Sequence, residues 1–288
     1  MIMIEMVINP KPKDLGDNFF VRRSLPNAQK RLVGPYIFWD HMGPVELNKD
    51  REMLVRSHPH IGLATITYLF SGSILHRDSL NNEQYIKPGE VNWMTAGSGI
   101  THSERAKSDE PLMLEGIQLW VALPKEHEEI EASFYHGNEA DLPMIEKDGH
   151  SMRLIAGEFL GEKSPVPVYS SLFYLNGNSQ ADSSFEFDLN EKQEAALYVI
   201  NGELEIDGNI YKRYDLIVFK QGSELNFKAK TQCEYMIFGG DIFEEGRHIW
   251  WNFVSSSKER IEQAKEDWKN GKFKPTINET DLIPLPEN

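Results

Sequence analysis

Between Leu63 and Phe70 the chain reads LATITYLF, an apolar run rich in β-branched and aromatic residues, closed by the turn pair Ser71-Gly72. Such runs form strands. SILHRDS follows, with Ile74, His76 and Asp78 alternating onto one face. Asn81-Asn82 makes the next turn, EQYI the next short strand, and Lys87-Pro88-Gly89-Glu90 a tight reversal. VNWMT then leads through Ala96-Gly97-Ser98-Gly99 into ITHSER. Short strands with turn signals about every ten residues predict an all-β sandwich or barrel. The period changes late in the chain, in SSSKERIEQAKEDWKNGKF. There Ile261, Ala264 and Trp268 recur at helical spacing, Ser256 and Glu259 form a capping-box pair, and Gly271 supplies a stop. This predicts a short C-terminal helix whose apolar face docks on a β domain.

The pattern occurs twice. YLFSGSI (Tyr68 to Ile74) is echoed 130 residues later by YVINGEL, and KPGEVNWMTAG (Lys87 to Gly97) is echoed 125 residues later by KRYDLIVFKQG. A repeated strand-turn-strand unit predicts an internal duplication and two similar β domains.

Candidate chemistry is confined to the first repeat. His58 and His60 flank Pro59 at the mouth of a strand. As residues i and i+2 they share a face about 6.6 Å apart and can lean toward one ion, at bonds of about 2.0–2.1 Å. Proline cannot donate to a ladder, which predicts an edge or a bulge at this end of the strand. His102 and Glu104 form a second same-face pair. Three imidazoles and a carboxylate suit a divalent first-row metal with one or two positions left open. The repeat offsets place His58 and His60 on Asp188 and Asn190, and His102 and Glu104 on Phe227 and Ala229. The second repeat thus keeps the strand pattern without the four ligands, which favours a functional role for them over a packing role. His76 could orient a ligand, act as a general base, or be a hydrogen-bonded structural histidine. Gln118 and Trp120 alternate with apolar residues and could line the barrel beside the site, while Trp93 and Trp120 read as core rather than substrate contacts. His41, placed at a turn, is expected to be a surface or structural residue, as are His127, His136, His150 and His248.

Composition narrows the function classes. With 40% hydrophobic residues, the 288-residue chain can bury a sizeable core. Its 45 acidic against 30 basic side chains give a net charge of −15, which argues against direct nucleic-acid binding. The single cysteine, Cys233, excludes an internal disulfide and fits a reducing compartment. With no apolar window of about 18 residues and no basic, apolar leader, the expectation is a cytoplasmic protein without membrane association.

Several segments together resemble the pirin family of bicupins. They are VRRSLPNAQKRLVGPYIFWDHMGP, HPHIGLATITYLFSG, HRDSL, PGEVNWMTAGSGITHSER and GIQLWVALP, with GRHIWWNFVSSSKERIEQAKEDW near the end. The resemblance implies two cupin jelly-roll β-barrel domains, drawn here as 1–136 and 137–288, the second carrying the short helix. It implies one metal in the first domain, usually iron, with Ni, Mn, Cu, Co and Zn as alternatives, and a lost site in the second. By motif matching the ligands are His58, His60, His102 and Glu104. The wider cupin pattern puts a Glu a few residues after the second histidine, where this chain has Ala64. Some pirins are quercetinases, which implies an oxidoreductase acting on a small aromatic substrate and dioxygen, with Glu104 and His76 as catalytic candidates. Other pirins are described as partners of transcription factors or metabolic enzymes, which implies, as the alternative, a metal- or redox-sensing regulator with a protein partner.

Overall fold

The computed structural model describes residues 3–14 and 20–287. The chain divides into two compact units. One contains Asp40–Glu139 together with Glu244–Asn288, and the other contains Arg22–Trp39 and Ala140–Phe243 together with the segment ending at Lys13. This differs from a cut at 136/137. The middle of the chain changes unit close to that point, but both terminal segments belong to the opposite unit from the one expected.

In the unit built on residues 40–139, strand formation follows the alternation of the sequence. β1 (Ile4–Ile8) belongs to the other unit; here β2 (Tyr36–Leu47) is followed by β3 (Met53–His60), β4 (Leu63–Ser71), β5 (Ile74–Asp78), β6 (Glu83–Ile86) and β7 (Val91–Thr95). Next are β8 (Ile100–Ala106), β9 (Leu112–Ala122) and β10 (Ser133–Gly137). One sheet runs β3-β8-β5-β6 and the other contains β10-β7-β4-β9-β2. Gly62 makes the sharp β3–β4 turn at φ +67°, where an added Cβ would lie 2.0 Å from the Val254 carbonyl oxygen. Of the edge or bulge expected at Pro59, the edge is present; Pro59 itself pairs in register with Thr101, and the bulge lies upstream of His58. β3 is the outer strand of its sheet, and its pairing with β8 shifts register between His102↔His58 and Glu104↔Val55. Met42, Leu47, Met53, Leu69, Ile74, Ile86 and Leu114 form a hydrophobic cluster in this unit.

The second unit repeats the plan. It contains β11 (His150–Phe159), β12 (Leu172–Ser179), β13 (Ser184–Asp188), β14 (Gln193–Asn201) and β15 (Glu203–Ile206). These are followed by β16 (Asn209–Lys212), β17 (Leu216–Phe219), β18 (Glu224–Ala229) and β19 (Cys233–Asp241). The order β13-β18-β15-β16 reproduces β3-β8-β5-β6, and β17-β14-β19-β12 reproduces β7-β4-β9-β2. β1 closes the outer side of β17, with Val7 opposite Ile217. Cys233 is buried in this core.

The pairing corrects one correspondence. His102 stands opposite His58, and Phe227 opposite Phe185. With Phe227 matched to His102 by the repeat offset, this pairing puts Phe185 and Phe187, not Asp188 and Asn190, in the places of His58 and His60. The connection from β13 to β14 is longer than the Ile61-Gly62 turn, so an offset fixed at the Gly72/Gly202 turn fails upstream of it.

The last segment returns to the first unit as β20 (His248–Trp250), β21 (Phe253–Ser255) and α1 (Lys258–Lys269). Ile261 and Ala264 of the helix are buried with Ile61 and Phe253. The cap is Ser257 rather than Ser256, its hydroxyl accepting from the Arg260 N–H at 3.2 Å. Ser256 instead donates to Glu128, and Gly271 follows the helix at φ +66°. Among the described residues no helix is long and apolar enough to cross a membrane.

Candidate metal centre

Strand alternation brings His58 and His60 from β3 to the same interior point as His102 from β8. Their ring centroids are 4.4–5.0 Å apart, and one nitrogen from each lies within 4.8 Å of the others. They form the one such histidine, cysteine or carboxylate group among the described residues. His58 is 7% exposed, against 1% for His60 and His102, so His58 marks the more open side.

Backbone carbonyls hold two of the rings. His58 Nδ1 lies 2.8 Å from the Arg56 carbonyl and His60 Nδ1 lies 3.1 Å from that of Asn252. A carbonyl only accepts, so each Nδ1 carries the proton and each Nε2 presents a lone pair. His60 Nε2 and His102 Nε2 approach to 3.1 Å, while His102 Nδ1 is buried without a partner among the described residues. Burial, the first cause, and repulsion from the neighbouring imidazoles hold all three groups neutral. The His58 pKa falls to about 4, and those of His60 and His102 fall well below the ordinary value. Neutral imidazole is the form that binds a metal, so these residues fit a transition-metal ion.

Glu104 shares the interior face but stands outside the 4.8 Å group. It lies opposite His76 in the β8–β5 ladder and accepts from Thr67 Oγ1 at 3.3 Å. Burial raises its pKa above the usual carboxylate value. Thr67 is also 2.7 Å from Gln118 Oε1, so Thr67 and Gln118 border this carboxylate. His76 is buried, with Nε2 3.1 Å from Asp78 Oδ2, and its ring stacks on Phe134 at 4.5 Å. Asp78 also accepts from the backbone N–H groups of Leu80 and Asn82. Trp120 packs edge-on to His60 at 5.1 Å, and Trp93 is core, donating to Thr95.

The remaining histidines divide. His41 is not at a turn but fully buried within β2, 3.0 Å from Glu115 Oε1. His136 sits two residues from Phe134 on β10, hence on the same face, with Nδ1 2.7 Å from Asn92 Oδ1. His150 is buried in the second barrel against Phe185, Phe227 and Tyr235, with Nδ1 2.9 Å from the tyrosine hydroxyl. Aromatic rings there take the register positions of the candidate ligands. Phe134, Thr67 and the Asn252 carbonyl escaped sequence reasoning. Thr67, a polar residue within an apolar run, was the readable signal, whereas a backbone carbonyl leaves none.

Two barrels of matching strand order, one enclosing a buried histidine trio, define a bicupin with a metal-binding type of site in one barrel. The chain belongs to the pirin family: residues 18–121 match the Pirin family model and residues 174–274 the Pirin C-terminal cupin domain. It is 48% identical over 291 residues to a pirin-like protein of Caulobacter vibrioides, covering 99% of this chain and 100% of that one. A Pseudomonas aeruginosa protein, provisionally named as a quercetin 2,3-dioxygenase, is 35% identical over 92% of this chain and 83% of its own. The crystal structure of a quercetin 2,3-dioxygenase from Acinetobacter baumannii superposes with a TM-score of 0.91 at 32% identity, covering 99% and 96% of the two chains.

Proposed function

We propose that this chain is a metal-dependent dioxygenase acting on flavonol or related enediol-type aromatics, with His58, His60 and His102, joined by Glu104, as the ligands and iron as the metal. The observation that carries the reading is the trio itself: three buried imidazoles held neutral, two locked by carbonyls with their lone pairs turned to one point. The relatives named for quercetin dioxygenation support the substrate class. The bound metal would supply Lewis acidity and an electron path between substrate and dioxygen.

The protein's own groups do the rest. Glu104, its basicity raised by burial, takes the proton of the substrate's enolic hydroxyl, the role that a carboxylate lifted toward neutral pH performs best. Thr67 and Gln118 orient that carboxylate. His76, anchored by Asp78 and stacked on Phe134, flanks Glu104 on the neighbouring strand of the same sheet. Trp120 offers an apolar edge beside His60. The single buried cysteine fits the cytoplasm as the working compartment.

The test is metal content together with oxygen uptake on a flavonol. About one equivalent of transition metal and metal-dependent oxygen consumption are expected. A metal-loaded protein that consumes no oxygen with any flavonol or enediol would overturn the enzymatic reading and favour a regulator with a protein partner.

A further inference from the structure

The strands that carry the candidate ligands inward carry a second set of residues outward, and the C-terminal segment is bonded to that set. On β3, Ser57 receives the chain on both sides: its N–H donates to the Asp281 carbonyl and its carbonyl accepts from the Ile283 N–H at 2.8 Å. Its hydroxyl is 2.6 Å from that of Thr276, which is in turn 2.9 Å from the hydroxyl of Thr101 on β8. The Ile277 N–H reaches the Asp78 carbonyl at the end of β5.

Glu279, with its side chain only 4% exposed, completes the fastening. Its Oε1 accepts from Arg105 Nε at 2.7 Å, Ser103 Oγ at 3.0 Å and Arg77 Nη1 at 3.2 Å, and Oε2 accepts from Arg105 Nη2. Arg77 lies opposite Ser103 in the β5–β8 ladder, between the pairs His76↔Glu104 and Asp78↔His102. One buried carboxylate therefore grips both strands directly behind His102, Glu104 and His76.

We propose that the C-terminal segment, through Glu279 and Thr276, is a positioning element of the metal centre, holding β3, β5 and β8 at the spacing that brings His58, His102 and Glu104 to one point. Neither residue belongs to the histidine trio. Each acts through the strand it holds, as outer hydrogen bonds to ligand-bearing groups do at metal sites. Three strands gripped from behind leave the inward side chains little freedom to spread. Without that grip the β3 edge, already bulged between His58 and Val55, is the strand freest to move.

This inference rests on reading the histidine trio as a metal site, and the experiment separates the two. The full-length protein is stripped of metal and titrated with Co2+, following the dissociation constant and the visible ligand-field spectrum. Glu279→Gln keeps the shape and removes the charge, and Thr276→Val keeps the shape and removes the hydroxyl relay. Both are expected to bind Co2+ about 10-fold or more weakly with a shifted spectrum. Glu279→Asp should recover part of the affinity, and Glu245→Gln, at an exposed pair with Lys125, should change nothing. A purely structural role would lower the melting temperature and leave the Co2+ spectrum unmoved. Wild type binding Co2+ while both variants match it in affinity and spectrum would overturn the positioning role alone. If Glu279→Gln does not fold, an unchanged Thr276→Val is sufficient to overturn it. A wild type that binds no Co2+ removes the metal site and this inference together.

Discussion

Lowering the pH should destabilise the metal-free protein by an amount that one histidine makes calculable. Burial and the neighbouring rings bring the His58 pKa down to about 4, from 6.5 for an ordinary histidine. Between those values the unfolded chain binds a proton at this position that the folded chain refuses, so stability rises with pH across the window and falls on acidification. Each pH unit within it is worth about 1.4 kcal/mol. From about pH 8 down to about pH 5 only the stretch below 6.5 counts, which gives a loss of about 2 kcal/mol from His58. The loss saturates at about 3 kcal/mol once the pH falls below 4. His60 and His102 are shifted in the same direction and add to the slope. The assay is urea unfolding of metal-free wild type and His58→Phe at the two pH values. Phenylalanine is the residue that the second barrel holds at this register, Phe185, so the variant has a precedent in the same fold. It should lose about 2 kcal/mol less than wild type on going to the lower pH, with carboxylates elsewhere cancelling in the difference. An equal loss in both proteins would mean that His58 is not held neutral, and the description of the trio as ligands ready for a metal would fail.

His102→Phe should abolish metal binding and leave a cooperatively folded protein, because Phe227 occupies the matching position in the second barrel; an insoluble or molten product would make the histidine structural. Glu104→Gln should weaken metal binding about 10–100-fold and reduce oxygen uptake per bound metal when metal is resupplied, whereas equal turnover per metal would leave Glu104 without a proton-transfer role. Ser257→Ala should cost about 1 kcal/mol by uncapping α1, read as a lower melting temperature with unchanged metal stoichiometry.

Local alternation made much of this site legible. Residues two apart share a strand face, and that rule alone paired His58 with His60 and His102 with Glu104. It also placed Gln118 and Trp120 toward the site. What it could not supply was distance across strands. All four residues face inward, yet the three histidine nitrogens cluster while Glu104 is held aside by Thr67. Register across the duplication was legible only as far as the next loop, so Phe185 and Phe187 were missed in favour of their neighbours. The turn assigned to His41 failed because WDHMGP continues through β2, where the apolar residues before and after it decide the conformation. Both Ser256 and Ser257 are good helix caps, and the choice between them fell to Glu128, a partner 128 residues away from Ser256. The terminal exchange was illegible for the same reason. Nothing in IEMVI announces that it will pair with Leu216–Phe219.

The two faces of β3, β5 and β8 give the physical ground for the positioning role proposed for residues outside the histidine trio. Period-two alternation obliges every inward ligand to have outward neighbours on the same backbone. In a barrel wall those neighbours are either solvated or fastened to something. Here Ser57, Arg77, Thr101, Ser103 and Arg105 are fastened, all of them to residues between Lys274 and Ile283. Two of those fastenings, from Arg77 and Arg105, need the charge on Glu279. The Glu279 pKa is held below the usual carboxylate value, first by its hydrogen bond from Arg105. A depressed carboxylate contributes stability above its unfolded pKa and loses it as pH falls through the folded one. The fastening is therefore complete at neutral pH and weakens only in acid below the range where His58 first becomes a liability. On acidification the interior face is strained before the exterior clamp releases. The order follows from the chemistry of the two faces: imidazoles that must shed protons to be ligands, backed by a carboxylate that must stay charged to hold them.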